Sequence, residues 1–384
     1  MAEFGSKKGK KQEKAQLTEQ KKLSSDDQIK QLEDELSKTK YNKKTQHHIG
    51  LVKAKIAKLR EKQQSRSSGK GKGTGFGVKK SGDGTVILLG FPSAGKSTLL
   101  NILTGSKSDV GAYSFTTVDV VPGVLTHKHT QIQILDVPGI VEGAASGKGR
   151  GKDVLAVLRS AELVLILVDV NSPVHYHVLL KEAHDSGLRL NKRKPDVKIV
   201  RKEKGGISFG ATVKLTKIDK KTVEIIMNEY RWNNADVVIR DNIDVDDFID
   251  VIEGNRKYVS SITILTKVDM VSHEELMMVE KKVKPDISIS AEEDINIKEL
   301  KDLIYDKLNF MRVYSKEVSK KADLEVPHVV FKGANIGDLC DKIHRDFRGK
   351  FKFARVWGPS AKFEGQKQML NHILKDGDVV EIHI

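Results

Sequence analysis

Apolar residues recur along this chain with two different periods, and the switches between them mark out its elements. From Ser25 onward Ile29, Leu32 and Leu36 fall on one helical face, and Ser25 or Asp26 is placed to accept from the free N–H groups of a first turn. After a polar break over Lys40–Thr45, Ile49, Val52, Ile56 and Leu59 share a second face. Lys53, Lys55, Lys58, Arg60 and Lys62 lie largely around the other side, so the pair predicts a helical hairpin with a basic surface. Ser67–Gly77 has no period and reads as a Gly/Ser/Lys linker. Val86–Leu89 and Leu163–Val168 are continuous apolar runs, as expected of strands covered on both faces, and Gln131–Leu135, Ile262–Leu265 and Ile287–Ile289 read as further strands. Val197–Arg201 and Val237–Arg240 predict strands around a helical Lys220–Tyr230. Near the end, strand Val326–Phe331, amphipathic helix Ile336–Phe347, strand Ala354–Trp357 and a turn with a terminal alternating strand over Lys375–Ile384 suggest a β-grasp unit.

Composition changes this picture in two places. A chain of 384 residues can hold two or three domains, and 38% hydrophobic with 31% charged residues excludes collagen-like, mucin-like and membrane-spanning classes. The single cysteine, Cys340, rules out an intramolecular disulfide and a cysteine-based zinc site, and the first twenty residues lack a signal-peptide core; the expected address is the reducing cytoplasm, with no membrane as partner. The net charge of +15 points to a polyanionic partner, but it is unevenly placed: residues 1–80 carry 22 Lys+Arg against 9 Asp+Glu, the remaining 304 carry 45 against 43. Lys7–Lys22 is too polar to offset ordering entropy and is expected to be disordered. The hairpin's charge reads either as a solvated face or as an RNA or ribosome contact, and its concentration favours the contact.

The strongest chemical signal is Gly90-Phe91-Pro92-Ser93-Ala94-Gly95-Lys96-Ser97-Thr98, a G-x-x-x-x-G-K-[ST] loop between a buried strand and a helix. Its backbone N–H groups can wrap phosphates, Lys96 can reach the β- and γ-phosphates, and Ser97 can give an oxygen to Mg²⁺. Asp136-Val-Pro-Gly139 ends the strand downstream; the aspartate suits Mg²⁺ through water and the Gly139 N–H suits a γ-phosphate. Between these boxes, Thr117 in Tyr113-Ser-Phe-Thr-Thr117 is the candidate sensor that closes over Mg²⁺, which makes Lys96, Thr117 and Gly139 the expected catalytic groups and Ser97, Thr117 and Asp136 the expected metal ligands. Two stretches could read the base, Thr216-Lys-Ile-Asp219 and Thr266-Lys267-Val-Asp269. Only the second follows a strong strand and precedes a Ser290-Ala291 pair at the end of another, so it is preferred. Asp269 would accept from guanine N1–H and its exocyclic amine, and the Ala291 N–H would donate to O6, which selects GTP over ATP.

These residues together resemble the translation-factor class of GTPases, and within it the Obg-like group and its developmentally regulated GTP-binding protein branch. The resemblance spans nearly the whole chain, through His47-His-Ile-Gly-Leu51 and Lys53–Arg60, Gly139–Ala144, Gly147–Gly151, Asp250–Arg256 and Val356-Trp-Gly358. It implies an α/β fold: a P-loop NTPase with a doubly wound, mostly parallel sheet, an N-terminal helical hairpin, a small inserted α/β subdomain like domains of ribosomal proteins, and a C-terminal β-grasp domain of the TGS type. The corresponding segments are a disordered basic extension (1–24), hairpin (25–66), linker (67–84), GTPase domain (85–172 and 259–312), insertion (173–258), linker (313–324) and TGS domain (325–384).

The resemblance further implies a Mg²⁺-dependent GTP-hydrolysing switch that associates with ribosomes or RNA, regulates translation and works with a dedicated stabilising partner protein, as a monomer or as a heterodimer with that partner. Ile140 stands where Ras-like enzymes carry the glutamine that orients water, so unaided hydrolysis is expected to be slow. Family members can recruit potassium with the help of an Asn in the phosphate loop; here Ser93 occupies that place and leaves potassium open. Thr266 likewise stands where the family usually has Asn. Other classes remain in view: a GTP-binding scaffold with negligible hydrolysis, an RNA-binding module that uses nucleotide structurally, and a microtubule-binding role for the basic arm.

Overall fold

The apolar runs assemble into two units in a computed structural model of the chain, which describes residues 24–40, 42, 45–66, 82–105, 121–137 and 157–384. One unit joins the described residues of Met1–Gly73 to Arg193–Arg256, and the other those of Thr74–Lys192 to Lys257–Ile384.

The chain opens with α1 (Ser25–Lys38), capped by the Ser24 hydroxyl accepting from the Asp27 N–H, and α2 (Gln46–Arg66). Ile29, Leu32 and Leu36 of α1 pack on Val52, Ile56 and Leu59 of α2, as their spacing predicts. Strand β1 (Gly84–Gly90) follows, then α3 (Lys96–Thr104), β2 (Val121–His127), β3 (Thr130–Asp136), β4 (Leu163–Asp169), α4 (His175–Asp185) and β5 (Leu188–Leu190). The insertion supplies β6 (Val197–Arg201), β7 (Ile207–Ala211), α5 (Lys220–Glu229), β8 (Ala235–Ile239) and α6 (Val245–Glu253). The chain returns through β9 (Lys257–Thr266), α7 (His273–Val283), β10 (Ile287–Ser288) and α8 (Ile297–Lys307). Its last part holds β11 (Phe310–Ser315), β12 (His328–Phe331), α9 (Ile336–Ile343), α10 (Phe347–Lys350), β13 (Phe353–Trp357), β14 (Gln366–Gln368) and β15 (Val379–His383).

The large sheet runs β10-β9-β4-β1-β3-β2, with β5 also paired to β9, and every pairing is parallel except that of β2 with β3. Burial of all seven positions of β1 and of β4 follows from helices covering both faces. One face packs Leu179 and Ala183 of α4, the other Leu99, Leu103 of α3 and Leu300, Ile304 of α8. The sequence starts the insertion at residue 173, whereas α4 and β5 belong to the sheet unit, because a parallel strand such as β4 needs a helix after it to cover its face.

The C-terminal sheet runs β12-β11-β15-β13-β14 over α9, a β-grasp arrangement. Its strand β11 lies where sequence alone ends the GTPase domain at 312 and starts a linker. Phe310–Ser315 instead pairs on both edges, antiparallel to β12 and parallel to β15. Phe310 and Val329 also enter the core beneath the large sheet, so the two domains of this unit share apolar packing. Lys350 closes α10, Lys352 precedes β13 and Arg355 lies on it. Lys316 sits over the ring of Trp357.

In the other unit, α2 buries a second face that its hydropathy did not reveal. Ala54 and Ala57 enter the core formed by α5, α6 and the insertion's three strands, β6-β8-β7. Of these strands β7 was not expected; its Gly205-Gly206 approach and its Gly210 mask the alternation of Ile207 and Phe209. Lys53 pairs with Asp246 at 2.6 Å and Lys58 with Glu229 at 3.2 Å, so part of the expected basic surface is occupied by the insertion. The first Thr-Lys-x-Asp candidate, the one not preferred, lies here: Asp219 caps α5 by accepting from the Thr222 N–H at 2.8 Å, a structural role. Gly50 lets the helices approach, since a Cβ there would stand 2.7 Å from Thr222 Cγ2. Thr222 is buried and its hydroxyl is bonded to Asp219 and His47, so it cannot step aside. Gly50→Val should therefore cost about 1–3 kcal/mol and loosen the hairpin first, read as a lowered urea midpoint and earlier proteolytic cleavage within α1 and α2.

Candidate functional site

The site forms at the C-terminal ends of β1, β3, β4 and β9, where a doubly wound sheet opens a crevice. The loop from β1 turns at Phe91–Ala94, with the Ala94 N–H donating to the Phe91 carbonyl at 3.0 Å, and enters α3 through Gly95 at φ 78°. That left-handed conformation and the tight seat of Gly90, whose Cβ would lie 3.0 Å from the Leu167 carbonyl oxygen, explain both glycines. No side chain caps α3, which leaves its first-turn N–H groups for an anion. Lys96 is buried, and its Nζ donates to the Gly90 and Phe91 carbonyls at 3.0 and 3.1 Å, holding the ammonium at the loop's mouth. Ser93, Ser97 and Thr98 are exposed along the same loop and helix start. Phe91 stacks on His175 of α4 at a centroid distance of 3.9 Å, and Pro92 is exposed.

Asp136 closes β3 opposite this loop. Burial pushes its carboxyl above the usual range, and the Lys96 charge and a hydrogen bond from Ser97 oppose the shift. Its Oδ1 is buried without a hydrogen-bond partner. An unpartnered carboxylate oxygen beside a serine hydroxyl is a donor set that fits a small, hard divalent cation. Thr117 and Gly139 lie outside the described residues, as do Tyr113–Phe115 and Ile140.

The base-reading segment is tied to the phosphate loop. The buried Thr266 hydroxyl, at the end of β9, lies 3.1 Å from the Ala94 carbonyl and 3.2 Å from that of Val168, and shares its proton between them. Lys267 turns at φ 60° and its Nζ meets Asp169 at 2.9 Å. Burial raises the Asp169 carboxyl, but bonds from Lys267 and the Asn171 N–H outweigh it and hold the group below the usual range. Asp269 then stands exposed in the turn Val268–Met270, its carboxylate free to meet solvent or a base. The Val268 N–H donates to the Ile289 carbonyl at 3.3 Å, which sets the Ser290-Ala291 turn beside it; Ser290 is fully buried and accepts from the Glu293 N–H at 3.2 Å.

The structure therefore brings Gly90–Thr98, Asp136, Thr266, Lys267, Asp269, Ser290 and Ala291 to one end of one sheet. Sequence reasoning missed Asp169, Asn171 and His175. The signal available for Asp169 was its place at the C-terminal end of a central strand, where ligand-facing residues collect.

Comparison with known proteins agrees with this geometry. The family described as 50S ribosome-binding GTPase matches residues 85–202, that of the C-terminal region of the same GTPase domain 204–310, and the TGS domain 311–384. An uncharacterised GTP-binding protein of Methanocaldococcus jannaschii is 51% identical over 94% of this chain and 93% of its own length. A developmentally regulated GTP-binding protein 1 homologue of Dictyostelium discoideum is 44% identical over 92% and 98%, and developmentally regulated GTP-binding protein 2 of Bos taurus 41% over 93% and 98%.

Removing one neutral hydrogen bond is worth about 1 kcal/mol, or about fivefold in an equilibrium constant. Thr266→Val should accordingly weaken GDP and GTP binding by about that factor each, by titration calorimetry, with little change in their ratio.

Proposed function

The chain belongs to the developmentally regulated GTP-binding protein family and is a GTP-binding GTPase of that Obg-like type, and from this premise we propose that it is a Mg²⁺-dependent, ribosome-associated switch in translation. Ser97 and Asp136, with Thr117 and Gly139 closing from the switches, would hold Mg²⁺ and sense the γ-phosphate; Mg²⁺, when bound, offsets the negative charge of the phosphates. The observation that carries the reading is the shared core. α8 spans from the sheet that holds the nucleotide loop to Phe310 and Val329 of the TGS domain, so rearrangement around the phosphates has a packed route to a second domain. The name of the matching family, 50S ribosome-binding GTPase, supports the ribosome as the place where the change is read.

Chemistry at the γ-phosphate is slow in the isolated chain under this reading. Lys96 neutralises the phosphates, but Ile140 has no polar atom with which to orient water. A potassium ion near the exposed Ser93, or a dedicated stabilising partner, supplies the missing charge; RNA or the ribosome meets the protein through basic groups in the cytoplasm. No helix among the described residues is long and apolar enough to cross a membrane. Single-turnover hydrolysis should run several-fold faster in potassium than in sodium, or rise when ribosomes are added. Equal rates under all of these conditions contradict the proposal.

A further inference from the structure

We propose that the inserted domain, rather than the helical hairpin, presents the surface that grips RNA phosphates; the inference rests on the ribosome-associated reading above and gives it a location. Part of the hairpin's positive charge is answered within its own unit. Lys53 and Lys58 meet Asp246 and Glu229 of the insertion's helices, and Arg60 meets Glu33 at 2.7 Å across the hairpin. Asp246 and Glu229 lie on the helical side of the insertion. The other side is basic: residues 192–217 hold nine Lys or Arg and two carboxylates, Asp196 and Glu203.

Topology gathers the exposed cations. Val197 at the start of β6 and Ala211 at the end of β7 both face Ile239 at the end of β8, so the segments that carry Arg193 and Lys194 before β6, and Lys214 after β7, emerge at one end of the sheet. Val197, Ile199, Ile207 and Phe209 turn toward the helices, so the alternate residues Lys198, Ser208 and Gly210 occupy the open face, with Lys198 and Gly210 both beside Val238. Arg193, Lys194, Lys198 and Lys214 are exposed.

The acidic groups near them are engaged. Asp236 pairs with Lys202 at 2.7 Å and that hydrogen bond holds it below the usual carboxylate range; Asp196 pairs with Arg240 at 3.1 Å, and Asp241 accepts from the Asp196 N–H at 2.7 Å. Glu203 lies at the opposite end, in the β6–β7 connection. Beside Lys198 the face carries the exposed Val200, the small Ser208 and Gly210, where a Cβ would meet nothing, so it is open toward the end at which Arg193, Lys194 and Lys214 emerge. A cluster of exposed cations at an open sheet end suits the phosphates of an RNA helix and gives little purchase on individual bases.

The test compares two full-length variants of equal charge change, Lys194→Glu/Lys198→Glu/Lys214→Glu in the insertion and Lys30→Glu/Lys38→Glu/Lys55→Glu on the hairpin, all at exposed positions outside the unit that holds the nucleotide loop. Binding to a fluorescein-labelled RNA duplex of about 24 base pairs is followed by anisotropy across a salt series. The insertion variant should lose about tenfold or more in affinity and about three units of the log–log salt slope, and the hairpin variant less than about threefold. Equal losses in the two, or none in the insertion variant while the unmodified chain binds, overturn the location alone. Failure of the unmodified chain to bind RNA overturns the location and the RNA-contact reading together. Displacement of the RNA by poly-L-glutamate at equal charge concentration would show that any polyanion suffices and would overturn the assignment to RNA.

Discussion

One hydroxyl joins the parts on which this protein's chemistry depends. Thr266 Oγ1 reaches Ala94 of the phosphate loop and Val168 of the central strand, residues 172 and 98 positions away in the chain. The base-reading turn, the phosphate cradle and the middle of the sheet are thereby held to one another by a group that burial denies to water. The polar groups of the base-reading segment are set from this point. Lys267 turns toward Asp169, Asp269 is presented outward, and the Val268 N–H fixes the Ser290-Ala291 turn, each because β9 ends where it does. The insertion between β5 and β9 is tolerable for the same reason: Lys257, the first residue of β9, takes up parallel pairing with β5 directly after it, so the sheet is unaffected by what intervenes.

Much of this was legible in sequence because the informative residues are close together. The phosphate loop, the Asp136 box and the Thr266 box are short patterns set against strands whose apolar runs are plain, and together they point to a doubly wound, mostly parallel sheet. What escaped notice depended on distance or on small side chains. Thr266 as a substitute for Asn could be judged only when its acceptors were seen. The face of α2 made by Gly50, Ala54 and Ala57 carries little hydropathy, yet it is the face that meets the insertion. Strand β7 hides behind glycines, and β11 reads equally well as the end of one domain or the beginning of the next because Phe310 enters the core under the large sheet while Met311 and Val313 enter that of the C-terminal sheet.

Charge shows the same lesson from another side. Net charge by segment assigned the polyanion affinity to the N-terminal arm, which the count of residues 1–80 supports. Count and availability differ. Carboxylates on α5 and α6 draw in Lys58 and Lys53, whereas the insertion, nearly neutral in sum, exposes Arg193, Lys194, Lys198 and Lys214 on and beside its sheet. A neutral total can therefore conceal a local cluster of cations, and part of a strongly basic segment can be satisfied at home.

Under the proposed function, the nucleotide state of this GTPase is read through a second domain at the ribosome. Co-sedimentation of the full chain with purified ribosomes, loaded with GDP or with a non-hydrolysable GTP analogue at one salt concentration, tests this most directly. Retention with the analogue and release with GDP is the predicted result. Equal retention in both states, or none in either, would contradict it.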